Sequence, residues 1–148
     1  MLDTEDPFLS SLLGPSDDPQ WWLEGSSYPI EILNREKVHV LVSSKEIATK
    51  YGESPVFVTF EVGQGKVYHM ISHFYLQRSE TRSSRHKSSA EVYLNEKGIS
   101  ASMKAKYAAM GVDSASLADV ESAFTSQAMM NKVFFDRQSK RRKDGKEE

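Results

Sequence analysis

The segment from Pro55 to Gln77, PVFVTFEVGQGKVYHMISHFYLQ, constrains the fold more than any other part of the chain. It reads as two apolar strands joined by a turn at Gly63 to Lys66, with two histidines and an apolar-aromatic run on the second strand. Side chains alternate across a strand, so this turn pairs Val62 with Val67, Phe60 with His69, Val58 with Ile71 and Val56 with His73. One face then carries Val56, Val58, Phe60, Val62, Val67, His69, Ile71 and His73, and the other carries Phe57, Thr59, Glu61, Tyr68, Met70, Ser72 and Phe74. Neither face is a polar surface. Both are expected to be covered, as in a layered α/β domain and unlike a meander with one wet side. Gly63 and Gly65 suit a turn that needs positive φ, and Gln64 between them leaves the turn type open.

A chain of 148 residues, 39% hydrophobic and 27% charged, is long enough for one domain with its own core. It contains no cysteine, which excludes disulfides, thiolate metal sites and cysteine nucleophiles. No apolar run reaches the length of a membrane span, and the acidic amino terminus lacks the basic-then-apolar pattern of a signal peptide. The expected location is the cytoplasm, with no membrane partner.

Charge is unevenly placed although the net value is only -2. The first 34 residues hold seven acidic side chains and no Lys or Arg before Arg35, whereas Arg137, Lys140, Arg141, Arg142, Lys143 and Lys146 crowd the far end. Residues 1–19, acidic and broken only by Phe8, Leu9, Leu12 and Leu13, are expected to form a loosely docked arm or a short helix. Residues 20–135 form the expected α/β domain, and 136–148 a charged, mostly basic tail that is solvated and frayed. Within the domain, QWWLEGSSYPIEILN anchors itself through aromatic burial, Val38 to Val42 is a strand, and Ser43 to Tyr51 is a short helix stopped by Gly52. Residues 78–90, RSETRSSRHKSSA, lack a large apolar anchor and read as a mobile basic loop. Ala90 to Met110 favours helix apart from Gly98, with Gly111 as the stop. The closing helix is clearest: Ser116 and Asp119 resemble a capping box, and Leu117, Val120, Phe124, Ala128 and Phe135 recur on one face, with Asn131 in the same stripe.

Few groups carry chemistry. His69 and His73 stand about 13 Å apart along an extended strand, so one ion cannot take both, and no metal or other cofactor is expected. His69 is expected to be a partly buried sheet residue, and His73, at the strand exit where ligands of α/β folds bind, is the candidate base or ligand-binding group. His69 and the following Tyr75 and Gln77 join it as candidate ligand-binding residues. Gly63-Gln64-Gly65-Lys66 lacks the full phosphate-loop spacing and leads into a strand, so it reads as a hairpin turn. Ser72 lies beside His73 and points to the opposite face of the strand, so the two are not a nucleophile and its base. Lys140, Arg141, Arg142 and Lys143, together with the basic loop and nearby Phe74 and Tyr75, are the candidate nucleic-acid contacts, and no recognisable nucleic-acid module surrounds them.

The blocks WWLEGSSYPIEIL, VHVLVSSKEIATKYG, PVFVTFEVGQGKVYHMISHF and SAFTSQAMMNKVFF resemble the carboxyl-terminal half of a class I glutamine amidotransferase-like domain, closest in flavour to its trehalose-utilisation-like branch. That resemblance covers roughly residues 20–77 and 123–135 and implies a partial flavodoxin-like layered sheet with a late antiparallel hairpin and a closing helix. It also implies that His73 matches the late histidine of the superfamily. In the amidotransferases that histidine belongs to a His-Pro-Glu motif and serves a cysteine; here Phe74 and Tyr75 follow it and the chain has no cysteine. The early strands that would carry a nucleophile elbow are missing as well.

The expectation is therefore a non-catalytic binding or assembly domain whose incomplete sheet favours a homo-oligomer or a partner chain that completes it. The alternatives are a trehalose-utilisation-like enzyme completed by another chain, and a nucleic-acid-associated protein acting through the basic loop and tail.

Overall fold

The computed structural model describes residues 2–14, 17, 21–23, 28–77, 84, 85, 87, 89–109 and 116–145. In chain order they form β1 (Leu2–Asp3), α1 (Pro7–Leu12), β2 (Trp21–Leu23), β3 (Val38–Ser44), α2 (Lys45–Tyr51), β4 (Pro55–Val62), β5 (Gly65–Met70), β6 (Ser72–Gln77), α3 (Glu91–Glu96), α4 (Ala101–Ala109) and α5 (Leu117–Asp144).

Local chemistry sets most boundaries. Asp6 caps α1, its Oδ1 accepting from the Leu9 N–H at 2.9 Å, and Pro7 fills the first turn, where no N–H is needed. The Ser44 hydroxyl accepts from the Ile47 N–H to start α2, and Gly52, at φ 82°, ends it. Ser116 caps α5 as its spacing with Asp119 predicts, its hydroxyl accepting from the Asp119 N–H; the Asp119 carboxylate takes that same hydroxyl as donor, at 2.6 Å. Gly98, at φ 70°, separates α3 from α4. The expected stop at Gly111 lies outside the described residues.

The hairpin closes two residues tighter than the spacing predicts. Val62 pairs with Gly65, Phe60 with Val67, Val58 with His69 and Phe57 with Met70, so the turn is Gly63-Gln64 alone. Gly63 sits at φ 58° and, among the described residues, no non-glycine has a positive φ, which is the pattern of a type II′ turn. Gly65 has no such role and simply opens β5. Because the shift is an even number of residues, each side chain keeps the face assigned to it.

Four strands make the main sheet, in the order β1-β3-β4-β5, and every pairing in it is antiparallel. A break at Ile71 turns the second hairpin strand out of this sheet, and its continuation β6 pairs antiparallel with β2, setting Trp22 opposite His73 and Leu23 opposite Ser72. The architecture is mixed α/β, with an antiparallel sheet and a carboxyl-terminal helix. Leu9, Leu41, Val42, Val56, Phe57, Ile71 and Met129 form the buried core, with Trp21, Ile30, Ile47, Tyr68 and Met70 packed against it. Burial is graded along the hairpin: Pro55 to Thr59 are buried, whereas Glu61 to Val67 are exposed. Both faces are thus covered only at the end away from the turn.

Of the two forms expected for residues 1–19, the short helix is the one seen, as α1, with Leu9 fully buried in the core. The buried side of α5 is rotated from the apolar stripe: it consists of Leu117, Ala118, Glu121, Ser122, Thr125, Ala128, Met129 and Lys132, whereas Phe135 is half exposed and Asn131 exposed. The helix runs through Asp144, taking in residues that composition assigns to the tail.

Candidate functional site

The two histidines separate. His69 lies on the edge strand β5 and is exposed, not partly buried, although its partner Val58 on β4 is buried. His73 is half-buried on β6 opposite Trp22. Tyr75 and Gln77 belong to the same strand by their backbone, and their side chains lie outside what is described. No group of three or more His, Asp or Glu placed to hold a metal ion exists among the described residues.

The feature that stands out beside His69 is the edge of β5. The N–H of Ile71 donates to the Val56 carbonyl at 3.2 Å, and the Thr59 hydroxyl donates to the Val67 carbonyl at 2.8 Å. The odd-numbered residues of β5 therefore turn their backbone groups toward β4, and antiparallel alternation turns those of Lys66, Tyr68 and Met70 outward. β5 is the last strand of its sheet, so among the described residues no strand meets these groups. The neighbouring apolar side chains Val62 and Val67 are 60% and 37% exposed.

Under this strand lies a charged network that spacing did not single out. Lys132 on α5 bridges Asp6 Oδ2 at 2.7 Å and Asp136 Oδ1 at 2.9 Å. Asp136 Oδ2 accepts from the Tyr68 hydroxyl at 2.7 Å and from Lys66 Nζ at 3.1 Å. Burial works to raise the Asp136 carboxyl, but the donors Lys132, Tyr68 and Lys66 outweigh it and hold the group below its ordinary range. Burial would lower Lys132, yet Asp6 and Asp136 raise it. Burial and the adjacent Asp136 push the Tyr68 hydroxyl up, so it stays a donor. These contacts fasten β5 to α5 and α1 while leaving its outer edge open.

A second cluster ties down the chain behind α5. Asp17 accepts from the Tyr93 hydroxyl at 2.7 Å, from Lys97 Nζ at 2.5 Å and from the Gly14 N–H at 2.6 Å. Lys97 Nζ lies 4.6 Å from the Phe124 ring centroid, and Tyr93 meets that ring edge-on at 6.1 Å. Glu121, fully buried on α5, is clasped by both guanidinium nitrogens of Arg85, at 2.8 and 3.2 Å. Arg85 belongs to the stretch that composition reads as a mobile loop, of which residues 78–83, 86 and 88 lie outside the described residues. Of these contacts Lys132–Asp136, an i,i+4 pair, and Gly14–Asp17 are close in sequence; the others meet from far apart.

The basic group Lys140, Arg141, Arg142 and Lys143 is exposed on the last turns of α5, and Lys140 donates to the Gln64 carbonyl in the hairpin turn. A cavity of about 240 Å³ opens at the other side of the sheet, lined by Asp3, Glu5, Arg35, Ser43 and Ser54 among others, and it includes none of the expected site residues. No protein-family model, curated protein or solved structure matches this chain.

Proposed function

We propose that this chain is a non-catalytic binding and assembly domain whose docking element is the outer edge of β5. The carrying observation is the run of outward backbone groups at Lys66, Tyr68 and Met70 at the end of the sheet. Native sheets blunt such edges with proline, bulges or charges. β5 has no proline and pairs with β4 without a bulge, and its single formal charge at neutral pH, Lys66, is turned onto Asp136. An edge left regular in this way is a template for a further strand, which binds through main-chain hydrogen bonds.

The amidotransferase-like resemblance is compatible with this proposal, since the hairpin and closing helix are the parts it rests on and a partial sheet leaves an edge unfilled. Its finer implication, a flavodoxin-like sheet, would need parallel strands, and the described pairings are all antiparallel. That finer assignment rests on the hairpin sequence and on His73.

Amide hydrogen exchange in dilute solution tests the proposal. The Lys66, Tyr68 and Met70 amides are expected to exchange far faster than those of Val67, His69 and Ile71. Equal protection of the two sets in the monomer contradicts it.

One observation favours nucleic-acid association as a second reading: the helical path of α5 continues through its basic run, holding Arg137, Lys140, Arg141, Arg142 and Lys143 exposed at one end. Binding to single-stranded DNA should then fall steeply with salt. It should also vanish when Lys140 to Lys143 are neutralised, and no binding at low salt removes the reading.

A further inference from the structure

We infer that the outer face of α5 binds an unpaired nucleic-acid strand, with a base stacked on Phe134 and phosphates held by Arg137 and Arg141. This rests on the nucleic-acid reading of the basic end of α5, and names the side of the helix, the form of the nucleic acid and the stacking ring. At about 3.6 residues per turn, Gln127, Met130, Phe134, Arg137, Gln138 and Arg141 fall on one stripe of the helix. It lies opposite Thr125, Met129, Lys132 and Asp136, which belong to the packed side of α5. All six residues of the outer stripe are exposed, Phe134 by 53%. Its neighbour Phe135 is already stacked on Phe8, with ring centroids 4.7 Å apart.

Charge on this face selects the partner. Between Ser122 and Lys143 the only acidic residue is Asp136, and its carboxylate is engaged by Lys132, Tyr68 and Lys66 on the packed side. The outer stripe therefore presents cations, amides and apolar side chains with no carboxylate among them. Residues 137–143 add five positive charges within seven positions, so a polyanion is the complementary partner. An anionic membrane surface fits less well, because Arg137 to Asp144 include no apolar side chain to enter the acyl layer beside the cations. An acidic peptide would meet the arginines and leave the Phe134 ring uncovered. Unpaired bases meet both: each has a π face, and an exposed aromatic beside cations holds a single strand by stacking and phosphate contact. In a duplex those faces are closed within the base stack, and Phe134 finds none.

Fluorescence anisotropy with labelled oligo(dT), titrated with the full chain over a range of salt concentrations, tests the assignment. Phe134→Ala is expected to weaken binding about tenfold or more and to leave the slope of log affinity against log salt unchanged, because no phosphate contact is lost. Phe134→Trp is expected to restore it. Arg137→Gln/Arg141→Gln is expected to reduce that slope by about 1.4, the worth of two phosphates on a single strand. All three positions are exposed, and unchanged circular dichroism checks that the fold survives. The same strand paired with oligo(dA) is expected to bind more weakly and to be indifferent to Phe134→Ala. Single-strand binding that Phe134→Ala leaves intact, but that neutralising Lys140 to Lys143 removes, overturns the stacking face while the nucleic-acid reading stands. Duplex binding as tight as that of the single strand overturns the choice of an unpaired strand. Binding to phosphatidylserine vesicles with none to oligo(dT) at low salt overturns both readings.

Discussion

Asp17 and Lys97 show how much of the stability is held by charges that cannot be left alone. Asp17 is 2% exposed and takes three donors, one of them Lys97. Lys97→Met keeps a side chain of similar length and removes the cation that lies over the Phe124 ring, leaving the carboxylate buried with two neutral donors. A loss of about 3 kcal/mol is expected in urea unfolding, in line with breaking a buried pair from one side. Asp136 gives a pH signature. Its carboxyl titrates lower in the fold than in the unfolded chain, so its contribution is complete above the unfolded value and is lost as pH falls through the folded one. Lys132 and Tyr68 are raised, so theirs is complete below their unfolded values and is lost at alkaline pH. Comparing wild type with Asp136→Ala, the difference in unfolding free energy should be largest near neutral pH and shrink below about pH 4, where an ordinary carboxylate protonates. A difference that stays constant into acid would assign the loss to packing. None of these partners was visible in the linear pattern except the Lys132–Asp136 spacing, because Asp6, Asp17, Tyr68, Arg85 and Glu121 acquire their meaning only when distant segments meet.

The β4–β5 hairpin and α5 divide what the pattern carries from what it does not. Alternation placed the side chains of β4 and β5 on their observed faces, though not those from Ser72 onward, and Gly63 marked the turn, but the pairing is two residues tighter because Gly63-Gln64 closes the chain alone. With φ at 58° and no atom within 4 Å of the place a Cβ would take, Gly63→Ala meets strain and no clash. It should destabilise the fold by about 1–2 kcal/mol by thermal unfolding, whereas Gly65→Ala, with no positive φ to hold, should cost less. In α5 the cap at Ser116 followed from its spacing with Asp119. The buried face did not, since apolar periodicity points to Phe124 and Phe135 while the interior takes Glu121, Thr125 and Lys132. These three can occupy that face because Arg85 pairs with Glu121, Asp6 and Asp136 pair with Lys132, and Thr125 donates to the Glu121 carbonyl at 2.9 Å.

At the scale of the whole molecule, the elements make a sheet that ends in the two-residue strand β1 at one side and in β5 at the other, with α1 and α5 tied to β5 through Asp6, Lys132 and Asp136. The mixed α/β class, the hairpin, the short helix after β3 and the closing helix could be read from hydrophobic period and capping residues. The free edge could only be anticipated from a shortage of strands, and neither the docking of the acidic arm nor the bend at Ile71 has a local signature. No helix among the described residues is long and apolar enough to cross a membrane. The edge assignment is tested by two substitutions at Lys66. Both Lys66→Ala and Lys66→Pro give up the ion pair to Asp136, but only proline also removes an outward N–H, a change that an edge strand tolerates in the isolated fold. Urea unfolding of the two variants in dilute solution is therefore the most direct measurement. Similar losses of stability from the two are the predicted result, and a much larger loss from the proline would contradict the account.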